Sequence, residues 1–239
     1  MARRPRLSIA GVPQHVIQRG NNRQATFFAD EDYLLFLAYL GEAARKHGCS
    51  VHAYVLMTTH VHLLVTPNEP DAVSRTMQDV GRRYVQYVNF TYRRSGTLWE
   101  GRFKASLVDT QQYFLTCARY IELNPVRAGI AKTPADYAWS SYRHYALGQE
   151  SGLLSAHEEY QALGTTDLER QSAYRDLFNT SVDDTGLQQE IRETVNGGWP
   201  LGSERFKDEI EAALERTARP PQRGRPRKSG RLGTDAAEM

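Results

Sequence analysis

Hydrophobic and β-branched residues are concentrated in four short segments in the first half of the chain, and this pattern predicts four β-strands. The strands are predicted at residues 12–19, 50–57, 60–66 and 103–108. In two intervening segments, residues 30–47 and 71–92, apolar residues recur every three or four positions. That spacing is typical of an amphipathic helix, so a helix is predicted in each segment.

A further helical pattern, residues 111–123, follows the fourth strand and is predicted to stop at Asn124-Pro125, because proline does not fit a helix interior. The order β-α-β-β-α-β-α is that of the split βαβ, ferredoxin-like arrangement with one extra helix. We therefore expect an α+β fold. It has an antiparallel sheet with helices on one face, an extra helix, and a small C-terminal helical region.

Beyond Gly148 the sequence changes character, and two further segments are predicted. Residues 150–217 contain short helical patterns and are expected to form a small helical accessory region. Residues 218–239 are rich in Arg, Pro and Gly and have almost no large apolar side chain. Such a segment cannot bury enough surface to fold, so a disordered basic tail is expected there.

The composition is that of an ordinary soluble globular protein, with 40% of the 239 residues hydrophobic and 24% charged. No segment is apolar over the length of a membrane span, and no apolar signal-peptide core follows the start. The two cysteines, Cys49 and Cys117, are too few for a disulfide framework or a zinc knuckle. These features predict a reduced, cytoplasmic protein with no membrane partner.

Charge is unevenly distributed, although the net charge is only +2. Residues 75–104 hold seven bases and two acids, whereas residues 150–193 hold ten acids and three bases. Residues 219–231 hold six bases and no acid. Such blocks favour a polyanion-binding surface near the middle of the chain and a second basic element at its end. The alternative is a solvated helix face followed by a disordered tail.

Two histidines flank a single valine at the start of the third predicted strand, in the sequence H-V-H. Because side chains alternate between the two faces of a strand, His60 and His62 share one face. Two neutral imidazoles one strand-step apart can bind a single divalent metal ion. The alternative is a pair of ordinary sheet histidines.

Tyr120 and Asn124 are spaced i, i+4 near the end of the third predicted helix, so they are neighbours on one face. A tyrosine becomes a useful nucleophile when a nearby metal makes a phosphodiester electrophilic. Two imidazoles and one amide oxygen suit Mg²⁺ or Mn²⁺ better than a closed zinc site. Three other tyrosines are rival nucleophiles that we interpret as structural or DNA-groove residues: Tyr84, Tyr87 and Tyr113. His15 and His52, on neighbouring strands, are interpreted as core histidines rather than partners of the metal ligands.

Three segments together resemble one known family: H-V-H, L-W-E-G-R-F, and Y-I-E-L-N-P-V-R-A-G. They resemble the HUH-type single-tyrosine transposases, and most closely the REP-associated tyrosine transposases, over residues 8–145. The resemblance implies that His60, His62 and Asn124 bind Mg²⁺ or Mn²⁺. It also implies that Tyr120 attacks single-stranded DNA to form a 5′-phosphotyrosine. Many insertion-sequence relatives have Gln where this chain has Asn124, so the third ligand is less firmly implied.

Members of this family recognise imperfect hairpins in palindromic DNA, which fits the basic middle segment. The candidate DNA contacts there are Arg82, Arg83, Arg93, Arg94, Arg102 and Lys104. In the tail, the sequence R-G-R-P resembles an AT-hook, so Arg223 and Arg225 are expected to contact A·T-rich duplex. The alternative for the tail is a non-specific basic arm.

The resemblance implies a transposase that cleaves and rejoins single-stranded DNA at hairpin or palindromic sequences, acting as a monomer or a homodimer in the cytoplasm beside the nucleoid. A DNA-hairpin-binding regulatory protein with little or no cleavage is the alternative. A replication initiator with the same nucleophile is less favoured, because no helicase-like segment is present.

Overall fold

The computed structural model describes residues 5–179 and 185–220, and their centre is a four-stranded antiparallel sheet. The strands are β1 (Gln14–Arg19), β2 (Cys49–Met57), β3 (His60–Pro67) and β4 (Lys104–Leu107), and their order in the sheet is β2-β3-β1-β4. β1 and β3 are therefore the inner strands. All four predicted strands are present, and the expected α+β fold is confirmed.

Two amphipathic helices, α1 (Asp30–His47) and α2 (Ala72–Thr91), cover one face of the sheet. Alternate residues of the strands, such as Val16 and Leu63, point into this layer and are buried against Phe36 and Tyr84 of the helices. Apolar residues on one face of the strands and along one side of α1 and α2 thus form a single core.

The opposite face of the sheet is covered by α3 (Thr110–Glu122), whose Phe114 and Ile121 pack against Val55 and Leu64. The chain was predicted to leave the helix at Asn124-Pro125, but it continues into a second short helix, α4 (Asn124–Arg127). A proline in the first turn of a helix costs nothing, because amide protons there have no partner within the helix. α4 can therefore begin directly after α3.

The free edge of β2 is covered by residues that follow α4. The amide of Leu56 donates to the carbonyl of Trp139, and the amide of Ser141 donates to the carbonyl of Tyr54. The ring of Trp139 stacks on Tyr33 of α1 at a centroid distance of 4.6 Å. The segment around Trp139 therefore contacts both the edge strand β2 and helix α1.

The C-terminal part contains α5 (Tyr142–Leu147), α6 (Glu158–Gln161), α7 (Asp167–Asp176), α8 (Thr185–Gly197) and α9 (Glu204–Leu214). It packs directly on the sheet domain. The free edge of β4 is covered by Leu201, whose amide donates to the carbonyl of Leu107 at 2.8 Å. At the end of α3, the buried carboxyl group of Glu122 accepts hydrogen bonds from the hydroxyl of Ser141 and from that of Tyr174 in α7.

The described chain ends beside α9, where Ala218 is buried and the guanidinium of Arg219 pairs with Glu204, Asp208 and Glu211. The predicted tail was expected to begin at residue 218. Arg223 and Arg225, its proposed AT-hook residues, lie outside the described residues. None of the helices in the described part of the chain combines the length and apolar character needed to cross a bilayer.

Candidate functional site

His60 and His62 lie at the start of β3, immediately after the tight turn at Thr58-Thr59, and they share the sheet face that α3 covers. Their ring centroids are 5.1 Å apart. An ion bound about 2.1 Å from one nitrogen of each ring would separate the ring centres by roughly this distance. The pair therefore has the spacing that a shared metal ion requires.

In both rings it is Nδ1, and not Nε2, that has a hydrogen-bond partner among the described residues. Nδ1 of His60 is 3.0 Å from Oγ1 of Thr59, and Nδ1 of His62 is 2.8 Å from Nε2 of His15. In metal sites, the ring nitrogen that does not bind the ion is usually held by such a partner. Both Nε2 atoms are left to act as ligands.

Burial keeps these imidazoles uncharged, which is the form that binds metals. It lowers the pKa of His60 to about 4, with a smaller contribution from the positive charge of Arg19. It lowers the pKa of His62 well below the ordinary value of 6.5, helped by the neighbouring His15 and His60. Both lone pairs are thus available at neutral pH.

Asn124 supplies the only other candidate donor that the sequence suggested for this site. Its amide nitrogen donates to the carbonyls of Tyr120 and Ile121, at 3.1 and 3.0 Å. This anchors the amide group and leaves its oxygen as the potential ligand. No cluster of three or more His, Cys, Asp or Glu residues suited to a metal occurs in residues 5–179 or 185–220. Two ring nitrogens and one amide oxygen are donors that a divalent metal ion can accept, and they would leave further positions on the ion open.

Tyr120 faces the histidines from α3. Its ring centroid is 6.1 Å from that of His62 and 5.9 Å from that of His15, in edge-on geometry. The guanidinium of Arg127 lies 4.3 Å from the centre of the Tyr120 ring and donates to the Tyr120 carbonyl. A cation over the face of an aromatic ring is attracted by the negative charge of its π system. In turn, burial lowers the pKa of Arg127 to about 10.

The rival tyrosines lie elsewhere. The hydroxyl of Tyr84 donates to the carbonyl of Thr26, and that of Tyr87 donates to the carboxylate of Asp32, both beneath the other face of the sheet. Tyr113 is on α3, but two turns before Tyr120. Of the tyrosines weighed as nucleophiles, the structure brings Tyr120 to the histidine pair.

Access to Tyr120 is narrow in this conformation. The side chain is 5% exposed, and Leu187 and Ile191 of α8 line the cavity beside it, together with Arg119 and Arg127. The cavity holds about 30 Å³. A volume of this size accommodates one water molecule, not a nucleotide.

Residues 8–124 match the family model described as IS200-like transposases. This segment of the chain belongs to the IS200-like transposase family. Among solved structures, a REP-associated tyrosine transposase bound to a REP hairpin shares 18% sequence identity, with a TM-score of 0.55. The alignment covers 66% of this transposase and 93% of that chain, and it shows a common fold.

A second solved structure, a putative transposase from Deinococcus radiodurans R1, is 23% identical. That alignment covers 51% of this chain and 96% of the other, with a TM-score of 0.36. No curated protein matches the sequence.

The predicted DNA contacts of this transposase fall into separate groups. Arg82 and Arg102, both exposed, line one cavity of about 490 Å³ between α2 and the segment before β4. Lys104 shares a smaller cavity of about 270 Å³ with Arg19 and Arg102. Three others are at other positions on or just after α2: Arg83, Arg93 and Arg94.

The predicted contacts also differ in availability. Arg83 is paired with Glu42 at 2.7 Å, and the guanidinium of Arg94 reaches the Gln24 amide oxygen at 3.5 Å. The Lys104 ammonium donates to the Asn196 side chain of α8 at 2.8 Å. A phosphate contact by these residues would have to replace an existing bond, whereas Arg93 and Arg102 are exposed.

Three features of the site were not predicted from the sequence: Arg19, Arg127 and the role of His15. Arg19 is paired across the strands with His60, on the same face. His15 is buried, as expected of a core histidine, but it also contacts His62, which is the partner role that the sequence did not favour. The period-two pattern of β1 places His15, Ile17 and Arg19 on one face, and that was the available signal. His52 bonds instead to Thr66 and the Ser155 carbonyl, away from the site.

Proposed function

We propose that this transposase cleaves and rejoins single-stranded DNA at hairpin or palindromic sequences, with Tyr120 as the nucleophile and Mg²⁺ or Mn²⁺ as the cofactor. The observation that supports it best is the packing of the Tyr120 ring against His62, with Asn124 one turn away. Membership of the IS200-like transposase family supports a DNA-cleaving activity.

In the proposed reaction the phenol oxygen of Tyr120 attacks a backbone phosphorus. A bond forms between that oxygen and the phosphorus, and the bond from phosphorus to the 3′ oxygen breaks. The phenol proton leaves, the departing 3′ oxygen gains a proton, and the 5′ phosphate stays on the tyrosine. Attack of a 3′ hydroxyl on this phosphotyrosine reverses the steps and rejoins a strand.

The protein's side chains have separate tasks in these steps. His60, His62 and Asn124 would hold the metal ion, which polarises the phosphate when bound. Arg127 places a positive charge beside the Tyr120 ring. The Nε atom of Arg127 is buried without a hydrogen-bond partner among the described residues, so it could donate to a phosphate oxygen once the site opened.

The proposed partner is a DNA hairpin, as in the solved REP-associated relative. The cationic cavities that contain Arg82, Arg102 and Lys104 are the proposed contacts with its backbone. Because phosphate contacts dominate affinity, this binding is expected to weaken as salt rises.

Covalent trapping tests the proposal. The protein is incubated with Mn²⁺ and labelled single-stranded hairpin oligonucleotides taken from the DNA that flanks its gene, and adducts are separated under denaturing conditions. The wild type and Tyr113→Phe should form a protein–DNA adduct, whereas Tyr120→Phe should not. An adduct that persists in Tyr120→Phe would rule out this nucleophile. If folded, DNA-binding wild type forms no adduct, cleavage itself is refuted.

A second candidate function is a DNA-hairpin-binding regulator with little or no cleavage. The cover that α8 places over Tyr120 favours it, since the cavity beside that residue, of about 30 Å³, is too small for a nucleotide. Hairpin binding without any adduct, with equal behaviour of the wild type and Tyr120→Phe, would be the result expected of such a regulator.

A further inference from the structure

His15 lies beside His62, one of the proposed metal ligands, on the neighbouring strand of the sheet. It is on β1, is fully buried, and its ring lies edge to edge with that of His62, with a centroid distance of 5.1 Å and an interplanar angle of 22°. Its Nε2 is 2.8 Å from Nδ1 of His62. The edge of the Tyr120 ring also packs against it. His15 thus touches both a proposed ligand and the proposed nucleophile.

The chemistry of imidazole decides which ring donates this hydrogen bond. A neutral imidazole has one N–H group and one bare nitrogen. If Nε2 of His62 is to bind a metal, the proton of His62 must be on Nδ1, and it must be donated to an acceptor. Within the described residues, the atom within hydrogen-bond distance of this Nδ1 is Nε2 of His15.

We propose that His15 is a positioning residue of the metal site. Its Nε2 accepts the hydrogen bond from Nδ1 of His62 and thereby fixes the orientation and the proton position of the His62 ring. This inference rests on the proposed function, because it assigns a task within the metal site. It requires the proton of His15 to be on Nδ1, the atom that has no hydrogen-bond partner among the described residues.

The two proposed histidine ligands, His60 and His62, differ in the partner of their Nδ1 atom. Nδ1 of His60 contacts Oγ1 of Thr59, a half-buried hydroxyl that water can replace. His15 is 0% exposed and His62 is 3% exposed, so water cannot take the place of His15 without opening the core. Removal of the acceptor at residue 15 should therefore weaken metal binding more than removal of the hydroxyl at residue 59.

Substitutions at residue 15 separate the hydrogen bond from simple packing. Gln places an amide oxygen near the position of Nε2, whereas the shorter Asn places it nearer to that of Nδ1. His15→Gln should therefore keep the acceptor, and both His15→Asn and His15→Leu should lose it. His52→Gln is the matched control, because His52 is also a buried strand histidine but lies outside the site.

Two measurements on the DNA-free protein test the inference. Mn²⁺ affinity is measured by electron paramagnetic resonance or calorimetry, and long-range ¹H–¹⁵N spectra give the proton position of His62 without metal. His15→Leu and His15→Asn should weaken Mn²⁺ binding roughly 10- to 100-fold, the usual effect of losing an outer partner. His15→Gln and His52→Gln should stay close to the wild type. Thermal melts and hairpin binding check that each variant is folded.

The outcomes distinguish this inference from the proposed function. Wild-type Mn²⁺ affinity in His15→Leu, or a His62 proton on Nε2 in the metal-free wild type, would overturn the role of His15. Equal weakening in His15→Gln and His15→Asn would do the same, because it would indicate packing alone. A wild type that binds no Mn²⁺ would refute the proposed metal site, while the proton position of His62 would still decide the hydrogen bond.

Discussion

The carboxyl group of Glu122 should make the stability of this transposase fall as pH rises through the neutral range. Glu122 is the last residue of α3, two positions after Tyr120, and it is fully buried between α3, Ser141 and Tyr174. Burial raises its pKa to about 8, against the smaller opposing effect of the two hydroxyl donors. The perturbation that isolates this group is Glu122→Gln.

The magnitude follows from the difference in pKa between the two states. In the unfolded chain the carboxyl titrates near 4.5, so between that pH and about 8 the folded protein holds a proton that the unfolded chain has released. The free energy of unfolding then falls by about 1.4 kcal/mol per pH unit. Over the whole window the upper limit is about 5 kcal/mol.

Urea denaturation of the wild type and Glu122→Gln, at constant ionic strength and at several pH values from 5 to 8, measures this effect. All other titrating groups are common to both proteins and cancel in the difference. We expect the unfolding free energy of Glu122→Gln, relative to the wild type, to rise with pH by up to about 4 kcal/mol. Tyr174→Phe removes one donor to the carboxylate and should extend the wild-type slope to higher pH.

Parallel stability curves for the wild type and Glu122→Gln would refute this reasoning. They would mean that the Glu122 carboxyl ionises in the folded protein as it does in the unfolded chain. A slope of opposite sign would mean that the two hydroxyl donors outweigh burial.

Three further predictions concern the site and the tail. Arg127→Met should slow adduct formation roughly 100-fold, which is the usual cost of removing one preorganised donor. Arg127→Lys should recover part of that rate. An unchanged rate in Arg127→Met would show that Arg127 has no role in the mechanism. The double substitution His60→Ala and His62→Ala should abolish cleavage. It should spare most hairpin binding, measured by gel shift, because affinity comes mainly from phosphate contacts. Parallel loss of both activities in a folded protein would contradict the metal assignment. A chain ending at Pro220 should keep hairpin cleavage, while the salt dependence of its affinity for duplex DNA should flatten by a slope of about 0.9 for each phosphate that the tail neutralises. A larger drop in affinity on A·T-rich than on G·C-rich duplex would indicate an AT-hook, and an unchanged affinity on both would show that the tail does not touch DNA.

Local patterns predicted much of this fold and part of its site. The face shared by His60 and His62 depends only on the alternation within β3, and the proximity of Tyr120 to Asn124 depends only on the helical period. The bond between His15 and His62 depends on the register of β1 against β3, which no local pattern specifies. The position of Arg127 over Tyr120 depends on the turn from α3 into α4, where the sequence predicted that the helix would stop. The packing of α8 beside Tyr120 is a contact between distant segments with weak helical patterns.

The segments that cover β2 and β4 have a consequence for self-association. The outermost strand of an open sheet offers unpaired amides and carbonyls to any other extended chain, including an identical one. In this protein residues around Trp139 use the backbone groups of β2, and Leu201 uses those of β4. A second copy could extend the sheet only after one of these segments had detached. The residues that follow α3 thus protect the protein against edge-to-edge polymerisation.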